Sequence, residues 1–378
     1  MDFAFNDDHL ALRDAVQRFC EAEYPAQHRG QPETPEQRQT RHSAMAELGL
    51  YGLTLDPEHG GSGLGAVEAM VVAQELGRAL ADGGFVSSTV LCARLIGQLG
   101  SPAQRAAWLP EMAAGRLQVA LAVYEEGLRY DWTRSQARAM PQAAGWLMEG
   151  RKTLVLGGEQ ADLWLVLVRT SGTPGEREGL SLLAVPARTA GVQVQGFDTL
   201  DGRRAAHLDF AACHVSGDAL VGPQGGVADA VEAALDAAIA ALCAEAAGAL
   251  ESLLVHAADH LRTRKQFGAP LAKFQVLQHR VADMLISLEQ IKSMACASAM
   301  AVDASNTVER RRLVSAAKVL TSQAGRQWGL AAIQMHGAMG MTDECRVGHY
   351  AKRLMVIGQL FGDAHWHLRE MRAEPASA

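Results

Sequence analysis

The chain has 378 residues, more than a single hydrophobic core usually accommodates, so we expect more than one domain. Hydrophobic residues make up 48% and charged residues 20%, which is typical of globular proteins and excludes a disordered or fibrous chain. The formal net charge of -7 gives no electrostatic reason to expect nucleic acid or anionic lipid as a partner.

The cysteines and the first residues indicate a compartment. The six cysteines form no Cys-x-x-Cys pair and no regular pattern with histidine, which argues against a metal site or a disulfide framework. Segment 1–8 carries acidic residues where a signal peptide carries basic ones, and no apolar run reaches the roughly 18 residues of a membrane span. We therefore expect a cytoplasmic protein without a metal and without a membrane partner.

The first third of the chain has helical patterns. After a first amphipathic helix, Thr34 followed by Pro35 predicts the cap and the first residue of a second helix, which should end at Gly49. A glycine-rich loop over 57–65 interrupts the pattern. Helical periodicity then covers two further segments, 67–80 and 90–99. These patterns predict an α-helical domain over 1–117.

The middle of the chain has the patterns of a sheet. Short apolar or alternating runs, separated by turn residues, predict strands over 163–168, 182–185 and 191–197. We place a compact β domain over 118–221.

Long helices return in the last part, 222–378. Apolar stripes predict a first helix that ends near Arg262, a second from about Leu277, a third from about Leu313 and a last one over 354–368. Four such helices bury their stripes most economically as a four-helix bundle, and surplus apolar surface would pair with another subunit.

Short strings spread over nearly the whole chain resemble those of the acyl-CoA dehydrogenase family. They are Leu48-Gly49-Leu50, Pro-Glu-His-Gly-Gly-Ser-Gly at 57–63, Trp108-Leu109-Pro110, Gly150-Arg151-Lys152, Asp201-Gly202-Arg203 and Arg-Lys-Gln-Phe-Gly at 264–268. A turn over 334–340 is similar to the family's glutamine and glycine turn, with Ala338 where a second glycine is usual. The tail over 361–365 resembles the small subunits of bacterial dehydrogenases of the pimeloyl-CoA type and of a wider group with steroid-degrading enzymes.

The resemblance implies an α+β fold with an N-terminal helical domain, a middle β-barrel-like domain and a C-terminal four-helix bundle. It also implies FAD as cofactor, an acyl-CoA substrate and a protein that accepts the electrons. A dimer or tetramer is expected, formed with a sister subunit or with copies of the same chain.

The resemblance also assigns residues to the adenine half of an FAD held at a subunit interface. Arg264 would donate charge-assisted, bidentate hydrogen bonds to the pyrophosphate. The other candidates are Gln266, Phe267, Gln275, Gln334, Gly337, Ala338 and Gly340. Plainer interpretations stay open: a solvated arginine at a helix end, a phenylalanine that fills the helix turn, and a glycine that ends a helix.

The half-site for this chain's own flavin ring departs from the family. The Thr-Glu-Pro string of the family is replaced by Tyr124-Glu125-Glu126, and Leu154 and Leu156 stand where an aromatic residue and a threonine are usual. Three hydroxyl or stacking contacts are therefore missing from this half-site.

The base that removes the proton beside the thioester is also missing from its usual places. Gly362 stands where one branch of the family has a glutamate, and the other branch's glutamate falls near Ala238. Asp363 follows Gly362 by one residue, which corresponds to about 100° of rotation on a helix. Asp363 is thus a relocated base, or the base comes from elsewhere, or the subunit performs no chemistry.

We favour a subunit that completes the FAD site of a sister chain. The alternatives are a self-sufficient homomer that uses Asp363, and a related flavin oxidase or monooxygenase. His365 and His367 are expected at a surface or interface, because residues two apart on a helix point to different faces and do not share a metal. For Arg129, Arg203 and Arg204 two interpretations stay open: contact with the phosphates of CoA, or exposure to solvent, which is the default.

Overall fold

The computed structural model of the protein describes residues 5–25 and 33–373. Its N-terminal part is helical, as predicted, and a π-helical segment over Phe85–Ala93 leads directly into α4. The helices are α1 (Asp7–Glu23), α2 (Pro35–Glu47), α3 (Ala66–Ala79), α4 (Arg94–Leu99) and α5 (Pro102–Ala113). The Thr34 side chain accepts a hydrogen bond from the Gln37 amide, and Gly49 follows α2 with a φ of 75°, so the predicted cap and stop are confirmed.

The middle part is one mixed sheet of eight strands in the order β6-β7-β3-β2-β4-β5-β8, with β1 added parallel to β4. The strands are β1 (Val119–Ala122), β2 (Arg138–Gln142), β3 (Gly145–Leu156), β4 (Leu163–Arg169), β5 (Leu180–Pro186), β6 (Val192–Asp198), β7 (Arg204–Ser216) and β8 (Leu220–Val221). All of β4 is buried, which explains why its sequence is a continuous apolar run and does not alternate.

The C-terminal part is a bundle of long helices, as predicted, but its last helix is interrupted. The helices are α6 (Ala228–Thr263), α7 (Gln275–Val302), α8 (Thr307–His336), α9 (Arg346–Gln359) and α10 (Ala364–Ala373). The prediction of one continuous helix over 354–368 is wrong. The chain leaves the helical conformation after Gln359 because Phe361 and Gly362 adopt φ values of 57° and 120°.

Helix α6 lies at the centre of the molecule and joins the helical parts. A β-carbon on Gly248 would be 1.8 Å from the carbonyl oxygen of Gln74 in α3, so only glycine permits this close approach of the two backbones. Within the described ranges α6 is also the one helix long and apolar enough to cross a membrane, which corrects the expectation that no apolar run has that length. In the fold, 78% of its apolar window is buried, as in a core helix.

Candidate cofactor site and active site

The first candidate site lies at the end of the bundle where α6 turns back. Arg264 is the first residue after α6, and a hairpin of β9 (Lys265–Gln266) and β10 (Ala269–Pro270) leads from it towards α7. At its tip Phe267 and Gly268 have φ values of 52° and 75°, and the Phe267 side chain is 88% exposed. Arg264 is exposed too, and no carboxylate of the described chain forms an ion pair with it.

A second turn lies beside the first. Gly337 follows α8 with a φ of 66°, and its amide donates to the carbonyl of Gln334, so it does cap the helix; a β-carbon there would meet open space. The ring of His336 stacks on the ring of His260 in α6, with centroids 4.2 Å apart. The structure therefore brings the Arg264 turn and the Gln334 turn together at one end of the bundle.

The remaining predicted cofactor residues divide into exposed and buried ones. Those with exposed side chains or backbone are Gln266, Gln275, Gln334 and Ala338. Gly340 is buried, and a β-carbon there would lie 2.8 Å from the carbonyl oxygen of Ile333, so its lack of a side chain serves packing beneath the turn.

Large apolar side chains are exposed on and near this end of the bundle. They are Phe267, Val276, Leu285, Ile286, Leu330, Met339 and Met341. Exposed apolar residues gathered on one region of a protein are typical of a surface that another subunit covers.

The second candidate site is a cavity of about 560 Å³ between the sheet and the break that separates α9 from α10. Tyr124, which stands in place of the family's threonine, is buried, and its ring lies 6.3 Å from Phe361 and 6.4 Å from Tyr130. Burial raises the pKa of the Tyr124 phenol, so the hydroxyl stays neutral. Leu154 and Leu156 line the same cavity, so the predicted departures lie together around one space.

Three residues of this cavity have backbone conformations that side chains disfavour. Arg129, Leu154 and Phe361 have φ values of 50°, 51° and 57°, and all three line the cavity. Only three other non-glycine residues of the described part have a positive φ. Strained conformations of this kind cluster at binding and active sites, where the surrounding structure enforces them.

Glu125 does not face the cavity as a free acid. Its carboxylate accepts hydrogen bonds from Lys152 Nζ at 2.7 Å, from Ser135 Oγ at 2.6 Å and from the Gln136 amide at 2.8 Å. Lys152 is completely buried. The lysine of the Gly-Arg-Lys string is thus the partner of Glu125, a pairing that the sequence does not reveal because 27 residues separate the two.

Neither usual base position offers a carboxylate. Ala238 is fully buried in α6. A β-carbon on Gly362 would lie 2.5 Å from Nε2 of His367 and 2.7 Å from Cδ1 of Trp366. Asp363 precedes α10, and its Oδ1 accepts a hydrogen bond from the Trp366 amide at 2.8 Å, so it caps a helix. The expectation that Asp363 and Gly362 lie on one helix and differ by one residue of helical rotation is wrong, because Asp363 lies between α9 and α10.

A buried ion-pair network, which the sequence did not suggest, joins the sheet to the bundle. Arg353 pairs with Glu245 in bidentate fashion: Nε lies 2.7 Å from Oε1 and Nη2 lies 2.7 Å from Oε2. The third nitrogen, Nη1, is 2.8 Å from Asp201 Oδ2. Arg203 Nη2 lies 2.8 Å from Glu245, so Arg203 is neither solvated nor free for CoA. Burial alone would raise the pKa of Glu245, but Arg203 and Arg353 outweigh it and hold the pKa below its usual range. Glu245 is therefore no base.

The other arginines and histidines singled out in the sequence are also placed. Arg204 pairs with Glu159 and with Asp198, whereas Arg129 is exposed and lines the cavity of about 560 Å³. His365 is exposed but His367 is buried, so the expectation of two surface or interface histidines is wrong for His367. Across the described ranges no three His, Cys, Asp or Glu side chains group as metal ligands.

Comparisons with known proteins agree with this architecture. Three family models match: "Acyl-CoA dehydrogenase, N-terminal domain" over 6–116, "middle domain" over 120–215 and "C-terminal domain" over 224–373. Mitochondrial isovaleryl-CoA dehydrogenase of Oryza sativa subsp. japonica is 28% identical over 322 residues, which cover 84% of this chain and 77% of that protein.

Two solved structures show the same fold. Butyryl-CoA dehydrogenase from Megasphaera elsdenii superposes with a TM-score of 0.88 at 21% identity, over 98% of this chain and 99% of that one. The ChsE4-ChsE5 complex from Mycobacterium tuberculosis gives a TM-score of 0.88 at 24% identity, with both chains covered completely. The chain belongs to the acyl-CoA dehydrogenase family of FAD-dependent oxidoreductases that act on CH–CH bonds.

Proposed function

We propose that this chain is the subunit of a heteromeric acyl-CoA dehydrogenase that completes the FAD site of a sister subunit and supplies no base of its own. The observation that carries the proposal is Gly362. Its φ of 120° and the nearness of His367 leave no room for a carboxylate side chain where the family has one. Of the acids that line the cavity, Glu125 is paired with Lys152, Asp363 caps α10, and Glu126 is exposed with its carboxylate 3.8 Å from Arg151.

The end of the bundle fits the phosphates and the adenine of FAD. Arg264 is an exposed guanidinium without a carboxylate partner in the described chain, and such a group recognises a phosphate in bidentate fashion. Gly337 leaves open space beside its backbone, which lets an anion approach the peptide groups. In this proposal Phe267 packs on the adenine. The hydrogen-bonding and backbone contacts come from Gln266, Gln275, Gln334, Gly337 and Ala338, and the buried Gly340 allows the close packing that supports the turn.

The cavity beside the sheet fits a flavin ring poorly. Bound FAD supplies the acceptor for the hydride that leaves the substrate. Here the Tyr124 and Phe361 rings lie against each other inside the cavity, and the leucines at 154 and 156 offer no hydrogen bond. In this proposal the chain keeps the contacts that bind the FAD of a neighbouring subunit, and it has lost contacts that would bind a flavin ring of its own.

A sister subunit is the partner that best explains this asymmetry. The exposed apolar residues beside Arg264 require a cover, and one fold relative, ChsE4-ChsE5, is itself a complex. We place the reaction on an acyl-CoA bound to the sister subunit, with electrons passed on to an electron-transfer protein.

The test compares the chain purified alone with the chain co-purified with the dehydrogenase chain encoded beside it. Alone, it should hold no flavin and leave acyl-CoA unchanged; together, the two should hold FAD and dehydrogenate the thioester. Arg264→Gln should lose most of the flavin from the assembly. Arg262→Gln is the matched control, because Arg262 lies two residues away and is paired with Asp259 at 3.1 Å.

A self-sufficient homomer with Asp363 as base is the second candidate. It is favoured by the volume of the cavity and by the strained backbones of Arg129, Leu154 and Phe361, which suggest that the cavity still binds a ligand. A yellow homomer that dehydrogenates acyl-CoA unaided, and that loses this activity in Asp363→Asn, would establish it and defeat our proposal. Rapid oxygen consumption by the reduced protein would instead indicate a flavin oxidase or monooxygenase.

A further inference from the structure

The stacked imidazoles of His260 and His336 lie between the two turns to which we assign the FAD phosphates. The Arg264 amide donates to the carbonyl of His260 at 2.9 Å, so His260 is one helical turn before the arginine. His336 comes immediately before Gly337. The two rings are 4.2 Å apart and inclined by 25°, and both side chains are half-buried.

The surroundings of the pair disfavour a positive charge. His336 Nδ1 lies 2.8 Å from the carbonyl of Ala332, and since a carbonyl only accepts, Nδ1 carries the hydrogen and Nε2 is the nitrogen left as an acceptor. Burial, then His336, then Arg264 lower the pKa of His260 below its ordinary value.

Other charged groups of the packed elements are engaged elsewhere. Asp259 on α6 pairs with Arg262, and the ring of His256, one turn earlier, lies against Tyr350 of α9. In the described part of the chain, no carboxylate forms an ion pair with His260 or His336. A positive charge on either ring would therefore have no carboxylate partner within the described residues.

We propose that His260 and His336 belong to the dinucleotide site, and that binding of the pyrophosphate is coupled to uptake of one proton by the imidazole pair. The inference rests on the proposed function of the Arg264 and Gln334 turns. A bound pyrophosphate brings two negative charges, which outweigh the repulsion from Arg264 and favour a protonated imidazole. The second ring stays neutral, because two cations stacked this closely repel each other.

The direction of the pH dependence follows from linkage. Since the FAD-bound form holds a proton more tightly than the free form, the affinity for FAD must rise as the pH falls through the range where imidazoles titrate. One coupled proton limits the effect to about tenfold in Kd per pH unit.

The experiment titrates FAD into the apo form of the co-purified assembly between pH 8 and pH 5.5, and follows flavin fluorescence. Wild type should bind about three- to tenfold more tightly at the acidic end. Calorimetry at pH 6.5 in two buffers of different ionisation enthalpy should show net proton uptake. Both effects should disappear in the double variant His260→Gln/His336→Phe, whereas either single variant leaves one imidazole that can take up the proton and should keep part of the effect.

Two comparisons separate failure of this inference from failure of the proposed function. His214→Gln, which changes an exposed histidine on β7, should keep the wild-type pH profile. If Arg264→Gln weakens FAD binding at every pH while the double variant His260→Gln/His336→Phe keeps the wild-type slope, the coupling is absent and the proposed function stands. If Arg264→Gln binds FAD as wild type does, both proposals are wrong.

Discussion

Gly362 lies directly against the ring of His367: a β-carbon built on Gly362 would be 2.5 Å from Nε2 of that histidine. Nε2 also lies 3.2 Å from the carbonyl oxygen of Phe361, and Nδ1 lies 3.1 Å from Ser315 Oγ, so the ring is fixed from both sides. The position to which the resemblance assigns the family's catalytic carboxylate is therefore closed by a buried imidazole that is held on both sides.

Gly362→Glu should not create a dehydrogenase. The substituted side chain meets a φ of 120° and a β-carbon clash, so we expect a loss of stability of at least about 2 to 3 kcal/mol. Acyl-CoA should also fail to reduce FAD that is added to the variant chain in the absence of the sister chain. Denaturant unfolding and anaerobic flavin reduction measure the two effects. Gly202→Ala is a control with a φ of 80° and open space, and should cost only about 1 kcal/mol, whereas Gly362→Ala should cost distinctly more. Reduction of FAD by acyl-CoA in Gly362→Glu without the sister chain would contradict the proposal.

Two substitutions distinguish whether Asp363 acts as a helix cap or as a catalytic base. Because its Oδ1 accepts from the Trp366 amide, Asp363→Ala should destabilise the protein by about 1 kcal/mol, and Asp363→Asn by only a few tenths. The activity of the co-purified assembly should be the same with aspartate and with asparagine. A loss of activity in Asp363→Asn at unchanged stability would identify a base.

The break before Asp363 shows where a single sequence stops being informative. Over 354–368 the apolar periodicity continues, and periodicity is the main signal for a helix, so one helix was predicted. The interruption arises from tertiary packing, since the Phe361 ring lies 6.3 Å from the Tyr124 ring and His367 turns back to the Phe361 carbonyl. By contrast, the start of α2 at Pro35 and the stop at Gly49 depend on neighbouring residues, and both were predicted correctly.

The residues of the candidate sites also differ in whether the local sequence predicts them. Arg264 and Gly337 lie in local turns whose strings can be read directly, and the structure brings them to one end of the bundle. The pairing of Glu245 with Arg353 connects two helices across 108 residues, and no local pattern reports it. Such long-range pairs determine which acids remain free for chemistry, so the sequence could name the missing bases but not the reason why nearby acids do not replace them.

The buried pair of Glu125 and Lys152 gives a prediction on stability. Glu125→Gln leaves the fully buried ammonium without its anion, and should cost about 3 to 5 kcal/mol. Glu125→Gln combined with Lys152→Met removes both charges and should recover most of that loss. Denaturant unfolding of the two single variants and the double variant gives the coupling energy. A double variant no more stable than Glu125→Gln would show that the pair itself, and not the unpaired charge, matters for folding.

His367 predicts how stability depends on pH. Burial, and then the charge of Lys318, lower the pKa of His367 to about 4, whereas in the unfolded chain an imidazole titrates near 6.5. As the pH falls from 6.5 to 4, the unfolded state takes up a proton that the folded state does not, so folding free energy is present above pH 6.5 and is lost towards pH 4. The loss from this residue should be about 3 kcal/mol.

His367→Gln removes that proton uptake and keeps a polar side chain beside Ser315 and the Phe361 carbonyl. Its stability is expected to be lower than that of wild type at pH 7, because the hydrogen bonds fit less well, and to fall less steeply between pH 6.5 and pH 4. His365→Gln, which changes an exposed histidine of the same helix, should follow the wild-type curve. Unfolding by urea at four or five pH values measures the slopes, and parallel curves for wild type and His367→Gln would show that His367 is protonated in the folded protein as readily as in the unfolded chain.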